Sequence, residues 1–388
     1  MKTGKFLSLV LVGLLLALGA GPALAAKQTV KVAFLGPLTG GVSAIGVGGR
    51  NSAELAVKLR NADPKAKYHY ELLVLDDECK PNSGVQVATK AAADKQVIAA
   101  ATHYCSVVAL ASVDIYHKFG LPVVVWGAVH PDITYGNDYK EIHRVNGTMI
   151  NQNEVAAKFV AGLGYKTWVL LYDTTDYGKG MHQYFSKYLT ENGGKVLGSF
   201  GVGADQQDFT SELTQAKTLN PDVIWFGGLT PLGVRIRLQM DKLGADSQFQ
   251  SCSGIISDAF IEGAGALAEG TIAFREGEPV EHLPGGKWFL EEYNKAGYKE
   301  APDAFGPFAF SAMSMILDGI EAVGPKRAAV VKWMENIKDY KTIVGQVTFD
   351  AHGQNISPAI TKYVVQDGKW VPWQESEYAS GKRQLKRR

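Results

Sequence analysis

The chain has 388 residues, and its 40 Lys and Arg side chains nearly balance 39 Asp and Glu side chains, for a formal net charge of +1. This length exceeds the size of about 250–300 residues at which a single core stops growing, so we predict two domains. The mixed charge argues against nucleic-acid binding, and we expect the one basic cluster, at residues 382–388, to be solvated.

Residues 1–25 have the pattern of a secretory signal peptide. A short basic start precedes an apolar stretch at residues 6–18, and the tripeptide ALA at residues 23–25 fits the small-x-small cleavage rule. The apolar stretch is short for a membrane span of about 20 residues. We therefore expect cleavage after Ala25 and export of the mature chain, with an uncleaved anchor as the alternative.

The rest of the chain alternates between short apolar runs and longer amphipathic segments. This alternation predicts βαβ units, and continuous apolar runs are typical of parallel strands that are buried on both faces. The segments at 49–62 and 179–194 have helical spacing. The predicted strands lie at residues 30–35, 70–75, 96–101, 121–126, 167–172, 195–200 and 222–227.

The alternation changes character twice, which suggests the domain organisation. One change lies near Asn146-Gly147 and the other near Arg275, where a polar connection rich in Pro and Gly follows. After it we predict a helix over Ala304–Val323 and strands within 342–350 and 359–368. The two α/β halves are of similar size.

The three cysteines allow more than one interpretation. Cys105 could be a nucleophile with His103, but a catalytic histidine is usually remote in sequence. A metal site would need a second Cys/His pair at metal-ligand spacing, which is missing. Cys79 and Cys105 each follow a predicted strand, and strand ends of a parallel sheet lie close together. In an exported chain we favour a disulfide between them, with Cys252 left free.

Loops at the strand ends supply the candidate binding groups. Ser106 begins a predicted helix, where it could be a structural N-cap or an anchor for a carboxylate. The Gly-rich segment 36–55 is predicted to be a loop that admits something small, because it fits neither nucleotide-binding pattern. The loops at 172–180, 225–233 and 251–260 follow strands of the second half, and ligands of open α/β sheets bind at this edge. No G-x-S-x-G or H-E-x-x-H motif occurs.

Three stretches carry a family resemblance. Residues 30–46, 75–116 and 173–182 are similar to the periplasmic leucine/isoleucine/valine-binding proteins, which are the solute receptors of ABC importers for hydrophobic amino acids. The resemblance implies a type I periplasmic binding protein, an α/β fold of two Rossmann-like lobes with parallel central sheets and a three-crossing hinge. The implied lobes are 26–147 plus 276–352, and 148–275 plus 353–388.

The resemblance also implies how a ligand carboxylate is held. Ser106 matches the anchoring serine of the family, and the main chain of Gly127 and Ala128 lies where further contacts are expected. Val129 stands at a position where the family carries Thr. The other positions assigned to the cleft wall are Tyr177, Leu229, Phe305 and Ile45.

The amino end of the expected ligand is less well matched. Ser253 stands where the family carries the Glu that meets the ligand ammonium, and an unpaired ammonium in a dry cleft is costly. Asp176 or Asp258 could replace this Glu. Alternatively, the ligand is a carboxylate without an amine, such as a benzoate- or cinnamate-like acid, and His103, Tyr104 and Trp126 line a slot for its ring.

We therefore expect a monomeric, periplasmic solute-binding protein that is not an enzyme. It is expected to deliver a branched-chain-type amino acid, or alternatively an aromatic carboxylate, to an inner-membrane ABC permease. No cofactor, metal or nucleic acid is expected. Two other classes remain open, namely an exported Cys or Ser hydrolase and a ligand-sensing ectodomain.

Overall fold

The computed structural model describes residues 27–387, and the predicted signal peptide at residues 1–25 lies outside them. The first sheet contains β1 (Thr29–Gly36), β2 (His69–Asp76), β3 (Val97–Thr102), β4 (Val123–Val125) and β5 (Ile142–Arg144). Its strand order is β2-β1-β3-β4-β5, and all of its strands are parallel. Every residue of β4 and β5 is buried, as expected for strands covered on both faces.

The second sheet is longer and mixed. It contains β6 (Thr167–Asp173), β7 (Lys195–Val202), β8 (Val223–Gly227), β9 (Gln248–Ser251), β10 (Ile272–Glu276), β13 (Ile360–Gln366) and β14 (Lys369–Pro372). The order is β14-β13-β10-β9-β8-β6-β7, and β13 and β14 are antiparallel additions at one edge. A separate hairpin is formed by β11 (Tyr340–Thr342) and β12 (Gly345–Val347). All seven apolar runs predicted as strands are confirmed.

Helices cover both sheets. The helices that connect successive strands of the first sheet are α1 (Ser43–Ala62), α2 (Pro81–Ala93), α3 (Ser106–Phe119) and α4 (Asp132–Tyr135). The second sheet carries α5 (Met149–Gly162), α6 (Asp176–Glu191), α7 (Thr210–Leu219), α8 (Thr230–Leu243) and α9 (Asp258–Ala264). The chain then forms α10 (Gly286–Lys295), α11 (Gly306–Val323) and α12 (Arg327–Met334), which pack on the first sheet and on α1. The predicted α/β class, with parallel central sheets, is confirmed.

We call the first sheet with α1–α4 and α10–α12 the first lobe, and the second sheet with α5–α9 the second lobe. The chain passes between the lobes at residues 145–148, 277–285 and 348–359. Isolated bridges lie at the ends of these connections: Arg144, the last residue of β5, pairs with Gln354, and Gly277 pairs with Ile360, the first residue of β13. Among residues 27–387, no helix combines the length and apolarity that crossing a membrane would require.

The prediction that the Gly-rich segment is a loop is wrong for most of its length, because α1 already begins at Ser43. Its glycines allow the helix to pack closely. A Cβ atom on Gly46 would lie 1.8 Å from the carbonyl oxygen of Pro37, and one on Gly48 would lie 2.6 Å from that of Pro302. At Gly46 and Gly48 the close approach is therefore made by protein backbone.

Candidate functional site

A cavity of about 290 Å³ lies between the lobes, at the carboxyl ends of the parallel strands of both sheets. This is the edge at which open α/β sheets bind ligands. Eight of the residues predicted for the site line the cavity: Tyr104, Ser106, Gly127, Val129, Tyr177, Leu229, Ser253 and Phe305. The other lining residues are Gly41, Val42, Cys79, Cys105, Val107, Asp173, Thr175, Ala204, Asp205, Pro231, Leu232 and Arg235.

A disulfide between Cys79 and Cys105 fixes one corner of the cavity, with Cα atoms 5.5 Å apart. This separation is normal for a disulfide. Glu78 and Cys79 both have left-handed backbone conformations, with φ of 53° and 56°, and the Oδ1 oxygen of Asp77 accepts a hydrogen bond from the Cys79 amide at 2.9 Å. The bridge therefore ties the strained turn after β2 to the start of α3.

The prediction that His103 lines a ligand slot is not met, because its side chain is fully buried beneath the cavity. Its backbone has a φ of 47°, so it lies in a turn just after β3. Its Nδ1 atom is 2.8 Å from the Oδ2 oxygen of Asp77, and its Nε2 atom is 2.5 Å from the hydroxyl of Tyr116. His103 thus joins the two turns that carry the disulfide.

Ser106 is the first residue of α3, and Cys105 occupies the N-cap position. The Ser106 Oγ atom accepts hydrogen bonds from the amides of Val129 and His130, both at 3.2 Å. None of the described residues accepts the hydroxyl proton. Because both lone pairs are used, Ser106 can offer a ligand only a donor. The positive end of the α3 dipole points the same way.

A buried guanidinium supports this corner from below. Arg144 donates to the carbonyl oxygens of Ala128 at 3.2 Å and His130 at 2.7 Å. It also donates to Gln354 and Thr134, so all of its acceptors are neutral, and burial lowers the pKa of Arg144 to about 9. The amide of Ala128 is likewise used, by the carbonyl of residue 103, and Ala128 does not line the cavity.

Aromatic rings form the wall of the first lobe. Tyr104 packs edge-to-face on Phe305, with ring centroids 5.2 Å apart, and its other side stacks on Trp126. Trp126 is fully buried and does not reach the cavity. The Tyr104 hydroxyl has no hydrogen-bond partner among the described residues, and burial raises the pKa of Tyr104 far above its usual value. Gly127 is required beside it, because a Cβ there would lie 2.8 Å from the Tyr104 ring.

The start of α6 forms part of the second-lobe wall. The Oδ1 oxygen of Asp173, at the end of β6, accepts from the Thr175 amide at 3.0 Å and from the Thr175 hydroxyl. Thr175 in turn caps the helix by accepting from the Gly178 amide at 3.4 Å. None of the described residues donates to the Oδ2 oxygen of Asp173, and burial raises the pKa of this carboxyl group. Asp173 is thus a cavity carboxylate that the sequence analysis missed.

Ser253 belongs to a buried hydrogen-bond network. Its Oγ atom lies 3.3 Å from the Tyr177 hydroxyl and accepts from the Nε2 atom of Gln152 at 2.9 Å. The Oε1 atom of Gln152 accepts from the Ser253 amide at 3.1 Å, and its Nε2 atom also donates to Glu276 at 2.7 Å. The Tyr177 hydroxyl also contacts the free thiol of Cys252 at 3.3 Å. Hydroxyl groups therefore face the cavity, and the carboxyl group of Glu276 lies behind them, beyond Gln152.

Three other predicted residues do not line the cavity. Ile45 is buried in α1 and packs in the core of the first lobe. Asp176 and Asp258 are exposed at the starts of their helices, so neither replaces the missing Glu directly. At the mouth, Asp205 and Arg235 were not predicted; Arg235 donates to the carbonyl oxygen of residue 206. The described residues contain no group of three or more potential metal ligands.

Sequence comparisons relate the chain to known proteins. The family model for periplasmic binding proteins matches residues 29–369. A leucine-, isoleucine-, valine-, threonine- and alanine-binding protein of Pseudomonas aeruginosa is 30% identical over 333 residues, covering 84% of this chain and 87% of that protein. A Leu/Ile/Val-binding protein homolog of Brucella abortus is 29% identical over 365 residues, covering 89% and 94%.

Solved structures show the same fold. A leucine-binding protein of Thermotoga maritima has a TM-score of 0.82 at 26% identity, covering 88% of this chain and 97% of that chain. A solute-binding protein of R. palustris in complex with benzoate has a TM-score of 0.78 at 19% identity, covering 89% and 95%.

Proposed function

Since the chain belongs to the periplasmic binding protein family, we propose that it is the periplasmic solute-binding component of an ABC importer and captures a small hydrophobic amino acid between its lobes. The relatives are solute-binding proteins and not enzymes. The chain would act as a monomer and deliver its ligand to an inner-membrane permease. The names of the amino-acid-binding relatives support this choice of ligand class.

The observation that carries the proposal is the hydrogen-bonding state of Ser106. Its oxygen already accepts from two backbone amides, so its hydroxyl proton must go to an acceptor in the cavity. A carboxylate supplies this acceptor and is favoured further by the helix dipole of α3. Val107, the next residue of the helix, also lines the cavity. We therefore assign the carboxylate end of the ligand to this corner.

The ammonium end would face the second lobe. Asp173 offers an Oδ2 oxygen to which none of the described residues donates a hydrogen bond, and the hydroxyls of Tyr177 and Ser253 can both act as acceptors. An ammonium has three N–H donors, which these groups could share. The ligand side chain would pack on the rings of Tyr104 and Phe305.

A ligand that touches both lobes also explains how capture changes the protein. Only interactions that differ between the open and closed arrangements can shift their populations. The carboxylate corner lies in the first lobe and the acceptor wall lies in the second, so one ligand completes both sets of contacts only when the lobes are closed.

A second candidate ligand is an aromatic carboxylate without an amine. The observation that favours it is Ser253, a neutral side chain whose Oγ already contacts Gln152 and Tyr177. An amine-free acid would need no charged partner on this wall, and it would keep the contact with Ser106. The benzoate complex of the R. palustris protein shows that the shared fold accommodates such a ligand.

Isothermal calorimetry on the mature protein tests both candidates. We expect leucine, isoleucine and valine to bind, whereas benzoate and cinnamate should not. Binding of the amine-free acids alone would favour the second candidate, and binding of neither panel would refute the proposed function.

Ser106→Ala supplies a test of the site within the same experiment. A hydrogen bond to a charged group contributes about 1.5–3 kcal/mol, so the variant should weaken binding by roughly 10- to 150-fold. Ser112→Ala is the matched control, because Ser112 is a buried serine of the same helix whose hydroxyl donates to the carbonyl of residue 108. Unchanged affinity in Ser106→Ala would contradict the assigned carboxylate corner.

A further inference from the structure

A fully buried carboxyl group lies behind the acceptor wall of the second lobe. Glu276 is the last residue of β10 and has no exposed surface. Its Oε1 oxygen accepts a hydrogen bond from Gln152 at 2.7 Å, but its Oε2 oxygen has no partner among the described residues. Buried carboxyl oxygens are normally satisfied, so this one requires an explanation.

The charged groups around Glu276 do not neutralise it. Arg275, its neighbour on the strand, donates to the hydroxyl of Tyr363 at 2.9 Å. Arg144 approaches from the first lobe, but its guanidinium is committed to neutral acceptors. Tyr104 is a further titratable group close enough to interact with Glu276. Neither arginine forms an ion pair with Glu276 within residues 27–387, and burial raises the pKa of Glu276 to about 7.

Gln152 links this carboxyl group to the cavity. Its Nε2 atom donates one hydrogen bond to Ser253 at 2.9 Å and one to Glu276 at 2.7 Å. These three residues come from α5, the segment after β9, and β10, all in the second lobe. The network is therefore internal to that lobe and does not depend on closure.

We propose that Glu276 acts through Gln152 and Ser253 as the counter-charge of the ligand ammonium, and that Glu276 releases a proton when an amino acid binds. Glu276 is thus a positioning residue that selects for an amine without touching it. This inference rests on the proposed function, because it requires an amino-acid ligand whose ammonium faces Ser253.

The sign of the effect follows from electrostatics. Burial favours the neutral, protonated form of Glu276, and a nearby ammonium favours the ionised form. Binding then releases a proton, so affinity rises with pH until Glu276 is already ionised in the free protein. For a free-state pKa of about 7 and complete coupling, the dissociation constant should fall about tenfold between pH 6 and pH 8. An amine-free carboxylate would have the opposite effect and take up a proton.

The test is calorimetry with leucine and with benzoate at pH 6, 7 and 8, using two buffers that differ in ionisation enthalpy so that exchanged protons are counted. Wild type is compared with Glu276→Gln, which keeps an oxygen to accept from Gln152 but cannot ionise. Asp303→Asn is the matched control, because burial raises the pKa of Asp303 to about 6, in the same pH range. Its φ of 55° is also one that Asn adopts readily.

We expect leucine to release about half a proton at pH 7 in wild type and in Asp303→Asn, and none in Glu276→Gln. Leucine binding without proton release, or with the same release in Glu276→Gln, would overturn the inference and leave the proposed function standing. Binding of benzoate alone would overturn the assignment to an ammonium. Absence of binding by either probe would refute the proposed function and this inference together.

Discussion

Closure of the lobes can be tested at one glycine. Gly41, in the loop after β1, faces Pro231, in the first turn of α8, across the cavity. A Cβ atom on Gly41 would lie 2.8 Å from the Cγ atom of Pro231, and the next nearest atom is the Pro231 Cβ at 3.7 Å. The first distance is too short for two carbon atoms, whereas the second is an ordinary contact. Gly41→Ala should therefore oppose this arrangement of the lobes.

The size of the effect follows from the cost of overpacking. Forcing an extra carbon into a packed contact costs about 1–3 kcal/mol, and the proline ring cannot rotate away. If this cost falls on the closed arrangement alone, ligand affinity should fall by roughly 5- to 150-fold. The free energy of unfolding should change little, because the clash is avoided when the lobes separate.

Calorimetry on Gly41→Ala, Pro231→Ala and the double variant measures this coupling as a double-mutant cycle. Removing the Cγ atom in Pro231→Ala eliminates the short contact, so the double variant should recover most of the affinity that Gly41→Ala loses. Gly203→Ala is the matched control, since its Cβ would meet only Gln206, at 3.9 Å. Wild-type affinity in Gly41→Ala, or no recovery in the double variant, would refute the reasoning.

Three further predictions concern stability, each measured by urea denaturation. Replacing Cys79 and Cys105 by Ser should lower the free energy of unfolding by about 3 kcal/mol, because the bridge closes a separation of 26 residues. Burial lowers the pKa of His143 to about 4, so between pH 6.5 and pH 4 the unfolded chain binds more protons than the folded protein. As the pH falls through that interval, the free energy of unfolding of wild type should therefore decrease by up to about 3 kcal/mol more than that of His143→Gln. Gly84→Ala should cost about 1–3 kcal/mol, since its Cβ would lie 2.3 Å from Val108, and a variant as stable as wild type would contradict the packing of α2 on α3.

The fold could be predicted because its signals are local. Continuous apolar runs such as 167–172 and 222–227 form buried parallel strands, and most of the segment with helical spacing at 179–194 lies in α6, which ends at Glu191. Two of the strands that were missed, β5 and β9, have weaker signals. The fully buried β9 is Gln248–Ser251, in which only Phe249 is apolar, and the short β5 has a His and an Arg among its three residues. Tertiary pairing placed these segments in the sheets despite their composition.

Site residues could be predicted where they lie at the end of a strand or the start of a helix. They could not be predicted where their position depends on tertiary contacts. Ser106 and Tyr177 line the cavity because each lies in the first turn of a helix that follows a strand of its sheet. His103 also follows a strand, but its left-handed backbone directs its side chain towards Asp77. No pattern in the sequence predicts that backbone conformation. Gln152 and Glu276 are separated by 124 residues, and only the packing of α5 against β10 brings them together.

The two ends of the cavity differ in how strictly they specify a ligand. Ser106 can only donate, because two backbone amides saturate its oxygen, so the first lobe demands an acceptor whatever else the ligand carries. The hydroxyls of Tyr177 and Ser253 can donate or accept, so the wall of the second lobe does not by itself choose between an amine and an uncharged ring. That choice must come from charge. It therefore rests on whether Asp173 and Glu276 are ionised when the lobes close.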